Sequence, residues 1–79
     1  MKNRPIFEIA YEIKRIWNPI SPYAKPYLDA MIELNSINDH YMFDSGKSII
    51  LYFLANAGSW RGNDARRIKS ELKALCNSK

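Results

Sequence analysis

The run of residues 48–57 is the most apolar in the chain and limits the folds that are open to it. Residues 49–54 are all apolar, a pattern typical of a central helix that other parts of the chain surround. A membrane-spanning helix needs about 20 such residues, so we interpret the run as a buried core helix. Asp44 or Ser45 is placed to cap its start, and Gly58 is placed to follow its end.

A second apolar pattern lies near the N-terminus. Over residues 5–17, isoleucines recur at spacings of three and four, which predicts an amphipathic first helix. A domain this small buries only about 60% of its unfolded surface, so a second copy would stabilise it. Self-association as a homo-oligomer, with this stripe and Trp17 as the interface, is therefore one hypothesis. The stripe consists of Ile6, Ile9, Ile13 and Ile16.

Two more helices complete the prediction. One is expected over residues 26–35, after a break rich in proline. The other begins at Asn63 or Asp64, either of which can cap it, and ends near Cys76. No segment shows clear strand alternation. The fold class is therefore predicted to be all-α, a compact bundle of about four short helices that forms a single domain over residues 1–79.

The counts of cysteine and histidine exclude several classes of protein. One cysteine and one histidine rule out a disulfide framework and a Cys/His zinc site. His40 has Asp39 and Asp44 nearby, but their spacing matches no recognisable metal site. Nothing orients Cys76 and His40 as a nucleophile and its base. We therefore predict no catalytic residue, no metal and no cofactor, and a protein that is not an enzyme.

Two further features of the sequence bear on function. The N-terminus lacks the apolar core of a secretory signal, so with a lone cysteine and no membrane segment we expect a cytoplasmic location. Residues 45–48 resemble the end of a phosphate-binding loop, but that motif needs a glycine where Tyr41 stands and a strand before it. The start of a helix is the better interpretation of these residues.

The turn at residues 57–62 places two glycines around Trp60 and Arg61. In one interpretation Trp60 fills the core while Arg61 bonds the carbonyl groups at the end of the preceding helix. In the other, both side chains are exposed anchors, because tryptophan and arginine are enriched in binding hot spots. We favour the structural role for Trp60 and leave the role of Arg61 open.

The excess of positive charge lies in the second half of the chain. Residues 1–40 carry five basic and five acidic side chains, whereas residues 41–79 carry seven basic against three acidic ones. A basic surface of this kind binds phosphates or an acidic protein, although an ordinary solvated helix face has the same composition. The predicted partner-binding residues are Arg61, Arg66, Arg67, Lys69 and Lys73.

Nucleic acid is an alternative partner for the same residues. The last two helices could form a helix-turn-helix in which Asn63, Arg66 and Arg67 read bases and Arg61 contacts phosphate. The turn is long for that motif, and the third helix is too apolar to lie across a phosphate backbone, so a protein partner is the leading hypothesis. Arg67 and Glu71 stand four residues apart, which also predicts an ion pair between them.

Three stretches of the chain carry a resemblance to a known group of proteins. They are residues 27–31 (YLDAM), 44–57 (DSGKSIILYFLANA) and 60–72 (WRGNDARRIKSEL). Together they resemble small orphan proteins of the early region of lambda-like temperate phages and prophages, between the recombination and excision genes. The resemblance implies a non-enzymatic accessory protein in the host bacterial cytoplasm that contacts a host component, in the first place a protein. It assigns no functional residue.

Overall fold

The computed structural model describes residues 4–77, which form four helices and one short β-hairpin. In chain order the elements are α1 (Ile6–Ile16), α2 (Lys25–Met31), β1 (His40–Tyr41), β2 (Asp44–Ser45), α3 (Gly46–Ala55) and α4 (Asn63–Cys76). The prediction of a compact, mostly helical domain with four helices is confirmed. The expectation of no strand is wrong, because β1 and β2 pair in antiparallel register. Within residues 4–77, no helix has the length and apolar character needed to cross a membrane.

The isoleucine stripe of α1 faces the centre of the domain. Ile6, Ile9 and Ile13 are fully buried, and Trp17, which follows the helix, is 8% exposed. The Trp17 ring stacks on the buried ring of Trp60, with the ring centroids 5.2 Å apart. The structural role predicted for Trp60 is therefore confirmed. The hypothesis that the stripe and Trp17 form an interface with a second copy is wrong, because the chain's own core covers them.

α3 is less enclosed than its composition predicts. Ile49, Ile50 and Phe53 are buried, but Leu51 and Tyr52 are 47% and 46% exposed. The prediction that other segments surround this helix on every side is therefore wrong. α3 packs against α2, α4 and the hairpin, and these neighbours leave Leu51 and Tyr52 about half exposed.

α2 ends at Met31, earlier than predicted, and a turn follows it. The Asp39 carboxylate accepts hydrogen bonds from the backbone N–H groups of Asn35 and Ser36, at 2.8 and 3.2 Å. These bonds give the two N–H groups partners outside the helix. Gly46 then packs so closely on this turn that a Cβ there would lie 2.5 Å from the Ser36 carbonyl oxygen. The hairpin and α3 are thereby fixed against the end of α2.

The starts of α3 and α4 are stabilised differently. The Ser45 hydroxyl accepts a hydrogen bond from the Ser48 N–H at 3.2 Å, so the predicted cap of α3 is confirmed. α4 begins after Gly62, whose φ of 111° favours glycine, and no side chain caps it. Asn63, one of the two predicted caps, instead accepts a hydrogen bond from the Arg66 side chain. The predicted side-chain cap of α4 is therefore wrong.

Candidate interaction surface

α4 carries charged side chains on two neighbouring sides. Arg66, Lys69 and Lys73 follow each other at spacings of three and four residues and so form one stripe. Arg67 and Glu71 lie one step further round the helix, where their partners come from the N-terminal part of the chain. The predicted partner-binding residues are thus divided between two different environments.

Arg67 belongs to a cluster of ion pairs between α4 and the region of α1, which we call the ion-pair seam. Its Nη2 lies 2.9 Å from Oε2 of Glu12 and 3.3 Å from Oδ1 of Asp64. Arg4 donates two hydrogen bonds to the Glu71 carboxylate, at 2.6 and 2.8 Å. Nη1 of Arg4 also lies 2.8 Å from Oε1 of Glu12, an ion pair without a well-directed hydrogen bond. The predicted pair between Arg67 and Glu71 is wrong, since Glu71 is paired with Arg4.

The ion-pair seam favours the charged forms of Glu12, Arg4 and Arg67. The Arg67 guanidinium lowers the pKa of Glu12, and Arg4 lowers it further, against the opposing effect of burial. The Glu71 carboxylate in turn raises the pKa of Arg4. Because Glu12 and Asp64 neutralise Arg67 within the molecule, we leave Arg67 out of the candidate surface.

Lys69 reaches beneath the turn that precedes α4. Its Nζ donates to the carbonyl oxygens of Ala57 and Trp60, at 2.7 Å each, and lies 6.0 Å from the centre of the Trp60 ring. This is the contact that the sequence suggested for Arg61. Burial lowers the pKa of Lys69, and the nearby charges of Lys73 and Arg61 lower it further. The Lys69 side chain therefore stabilises the turn, while its charge adds to those of its two basic neighbours.

The predicted partner-binding residues other than Arg67 form the candidate surface, which we call the basic face. Its members are Arg61, Arg66, Lys69 and Lys73, and all but Lys69 are exposed. Within residues 4–77, no carboxylate oxygen lies within 4.0 Å of any of the four. The chain has twelve basic and eight acidic side chains, so without these four the two signs would balance. The basic face therefore accounts for an excess equal to the formal net charge of +4.

The structure also shows an exposed apolar pair that no clear pattern in the sequence predicts. Met42 and Phe43 form the two-residue turn of the hairpin and are 79% and 98% exposed. Turns of this length usually carry Asn-Gly or Asp-Gly, and neither pair is present here. The sequence feature that could have indicated this turn is an apolar pair between His40 and Asp44, in a stretch without helical periodicity.

The residues considered as metal ligands or catalytic groups have ordinary surroundings. His40 is exposed on β1, whereas Cys76 is buried at the end of α4 with its Sγ 3.9 Å from the Lys47 carbonyl oxygen. Burial raises the pKa of the Cys76 thiol, and a protonated thiol is a poor nucleophile. Over residues 4–77, no group of three or more His, Cys, Asp or Glu side chains could hold a metal ion.

Comparison with known proteins identifies no relative of this chain. No family model, curated protein or solved structure matches the chain. The function of the basic face is therefore inferred from the contacts, exposure and charge of its own residues.

Proposed function

We propose that this chain is a non-enzymatic accessory protein that binds an acidic protein partner through the basic face. The proposal is carried by one observation: Arg61, Arg66 and Lys73 are exposed without a neighbouring carboxylate among residues 4–77. Clustered charges of one sign speed the approach of an oppositely charged partner and set its orientation. Arg4, Lys14, Lys25 and Arg67 do have carboxylate partners. Arg15 and Lys47 are also exposed without one among residues 4–77, but neither lies on α4 or its preceding turn.

Lys69 supports the proposal by fixing the geometry of the basic face. Its two bonds to the Ala57 and Trp60 carbonyl oxygens tie the turn to the middle of α4. Arg61 directly follows Trp60, so its backbone is held in a fixed position relative to Lys73. A surface whose backbone is already ordered loses less conformational entropy when a partner binds.

DNA binding is the second candidate function, and the arrangement of α3 and α4 argues against its usual form. A helix-turn-helix joins two helices at roughly 90–120° through a turn of about three or four residues. Here residues 56–62 separate the two helices. Cys76, at the end of α4, contacts the backbone of Lys47 in the first turn of α3, so the helices run in opposite directions. A DNA complex would therefore depend on phosphate contacts from the exposed cations of the basic face.

The biological setting of the proposal comes from the sequence alone. The stretches between Tyr27 and Leu75 resemble phage accessory proteins, which supports a host protein in the bacterial cytoplasm as the partner. In that setting, binding would modulate host or phage physiology without any chemical step.

Binding of a fluorescently labelled poly-glutamate peptide, followed by anisotropy at low salt, tests the proposal. Arg66→Gln removes one charge from the basic face and is expected to weaken binding about threefold, as for an exposed charge at the rim of an interface. Arg67→Gln is the matched control, because it removes the same charge from the adjacent residue, where Glu12 already neutralises it. This control is expected to bind the peptide as tightly as the wild type.

Two results would overturn the proposal: no binding of the peptide by the wild type, or equal weakening by both variants. A DNA duplex serves as the second probe. Tighter binding to the duplex than to the peptide, with an affinity that falls log-linearly as salt rises, would replace the proposal with the DNA-binding alternative.

A further inference from the structure

The turn of the hairpin has features that the stability of the domain does not explain. Met42 has a φ of 58°, in the left-handed region that glycine adopts far more readily than methionine. Phe43 is almost fully exposed and therefore buries no apolar surface against the core. Strained backbone and exposed apolar side chains are both features that cluster at binding sites.

Backbone hydrogen bonds hold the hairpin against residues 37–39. The backbone N–H of Gly46 donates to the Asp39 carbonyl oxygen at 2.6 Å, and that of Lys47 donates to the Ile37 carbonyl oxygen at 3.2 Å. Tyr41 packs against the core beside these bonds. The turn is therefore presented in a defined position.

The charge around this turn is opposite to that of the basic face. Residues 26–46 contain four carboxylates and no lysine or arginine, although Lys14 and Lys25 pair with one of the four, Asp29. Asp44 directly follows Phe43, is exposed, and has no cation within 4.0 Å among residues 4–77. The turn thus combines apolar side chains with a negative charge, and the basic face combines positive charges with the apolar stems of arginine and lysine.

The turn of the hairpin and the two arginines of the basic face lie toward opposite ends of α3, whereas Lys73 lies nearer the hairpin end. β2 leads directly into the first turn of α3, whereas Arg61 and Arg66 follow its last turn along the chain. The ten residues of α3 span about 15 Å. The turn of the hairpin and the arginines of the basic face therefore do not meet within one molecule, but they can meet between two copies.

We propose that Met42, Phe43 and Asp44, which we call the hairpin tip, dock on the basic face of a second copy of this chain. The inference rests on the proposed function, because it names the acidic partner of that same face. The Phe43 ring packs against the guanidinium groups of Arg61 and Arg66, an arrangement that favours cation–π contact, and Asp44 adds an ion pair. Since the two contacting surfaces differ, copies either join head to tail into a ring or longer assembly, or pair reciprocally in a twofold dimer.

Sedimentation equilibrium at low salt, from micromolar to millimolar protein, tests the inference. The average mass of the wild type is expected to rise above 9.2 kDa with concentration. A tip variant, Met42→Gly with Phe43→Ser, and a face variant, Arg61→Gln with Arg66→Gln, are each expected to remain monomeric. The tip variant should fold normally, because glycine accepts the φ of residue 42 without strain.

Mixing the two variants is the most specific of these sedimentation experiments. The tip variant keeps an intact face and the face variant keeps an intact tip, so an equimolar mixture is expected to form a one-to-one complex that stops at twice the monomer mass. Asp44→Lys is a second way to weaken the tip, by charge reversal without touching its apolar residues. It is expected to reduce wild-type association severalfold.

A wild type that stays monomeric at millimolar concentration, a tip variant that still associates, or a mixture that forms no complex would each overturn the inference. The poly-glutamate assay separates this failure from failure of the proposed function. If the monomeric tip variant binds the peptide, the basic face is a binding surface whether or not a second copy occupies it. If no form of the chain binds the peptide, the proposed function fails as well.

Discussion

Arg66 and Arg67 are neighbours in α4 and both are exposed, yet their surroundings differ. Arg67 turns toward α1, where its guanidinium lies against the carboxylates of Glu12 and Asp64. Arg66 turns away from α1 and bonds the neutral side-chain amide of Asn63. One step along a helix turns the side chain by about 100°, which is enough to move it from one environment to the other.

The comparison shows that charge has two separate uses in this domain. In the ion-pair seam, each positive group has a carboxylate from a distant part of the chain, so the pairs hold α1 and α4 together. In the basic face, positive groups stand beside one another, so all but Lys69 contribute little to stability, and their charges remain available to a partner. Removing a shared carboxylate from the ion-pair seam should therefore cost more stability than removing one charge from the basic face.

The largest effect is expected for Glu12, which two arginines of the ion-pair seam share. Its side chain is only 16% exposed, so Glu12→Gln should lower the free energy of unfolding by about 1 to 2 kcal/mol, between the values for exposed and buried pairs. Urea unfolding measures the change. Glu8→Gln is the matched control, because Glu8 lies on the same helix at 4.0 Å from Arg4 and is 55% exposed. Equal losses for both variants would show that the ion-pair seam contributes no more to stability than an exposed carboxylate on the same helix.

The same carboxylate predicts how stability depends on pH. The pKa of Glu12 is lowered from the 4.5 of a free glutamate, so the folded state holds this proton less tightly than the unfolded state. Its contribution is therefore fully present well above pH 4.5 and is lost as the pH falls through the lowered pKa. Unfolding curves at a series of pH values should show Glu12→Gln less stable than the wild type near neutrality and equal to it in acid. A constant difference across the series would contradict this assignment.

Part of the fold could be predicted from local patterns. α1 begins after Pro5 and ends shortly before Pro19, and α4 begins after Gly62, so these signals lie within a few residues of the apolar stripes. The burial of α3 could not be predicted in this way, because composition states how much apolar surface a helix has and not how many neighbours will cover it. Leu51 and Tyr52 are exposed since the chain supplies no further helix on that side within residues 4–77. The turn at Met42 could not be predicted, because it lacks the glycine that such a backbone usually carries.

The candidate site could likewise be predicted only in part from local sequence patterns. The sequence places the excess charge in the last helix and its preceding turn, and that location needs no tertiary structure. The separation of Arg66 from Arg67 does need it, because the partner of Arg67 is Glu12, at 55 residues' distance in the chain. Lys69 shares a stripe with exposed residues, and only the fold shows that its flexible side chain reaches two carbonyl oxygens.

Lys69 should have a smaller effect on stability than Glu12, although it belongs to the basic face. Lys69→Met keeps the apolar stem and removes the ammonium, which leaves the carbonyl oxygens of Ala57 and Trp60 without this donor. We expect a loss of about 1 kcal/mol in the free energy of unfolding, measured in urea. Near-ultraviolet circular dichroism of the tryptophans should also change, because the ammonium lies over Trp60. An unchanged stability would mean that water satisfies both carbonyl groups equally well.

The smallest effect is expected for Lys73, because two opposing contributions meet there. Its positive charge helps to lower the pKa of Lys69, so the two ammonium groups repel each other in the folded domain. Lys73→Gln removes that repulsion but also removes a cation from the last turn of α4, where the helix dipole favours one, so the free energy of unfolding should change by less than about 0.5 kcal/mol. Lys14→Gln is the contrasting variant, since Lys14 lies 2.9 Å from Asp29 and its loss should lower stability by a similar amount. Both differences should shrink as salt is added, because screening weakens attraction and repulsion alike. If Lys73→Gln destabilises the domain more than Lys14→Gln does, an unpaired cation of the basic face stabilises the fold as much as a paired one, and the contrast does not hold.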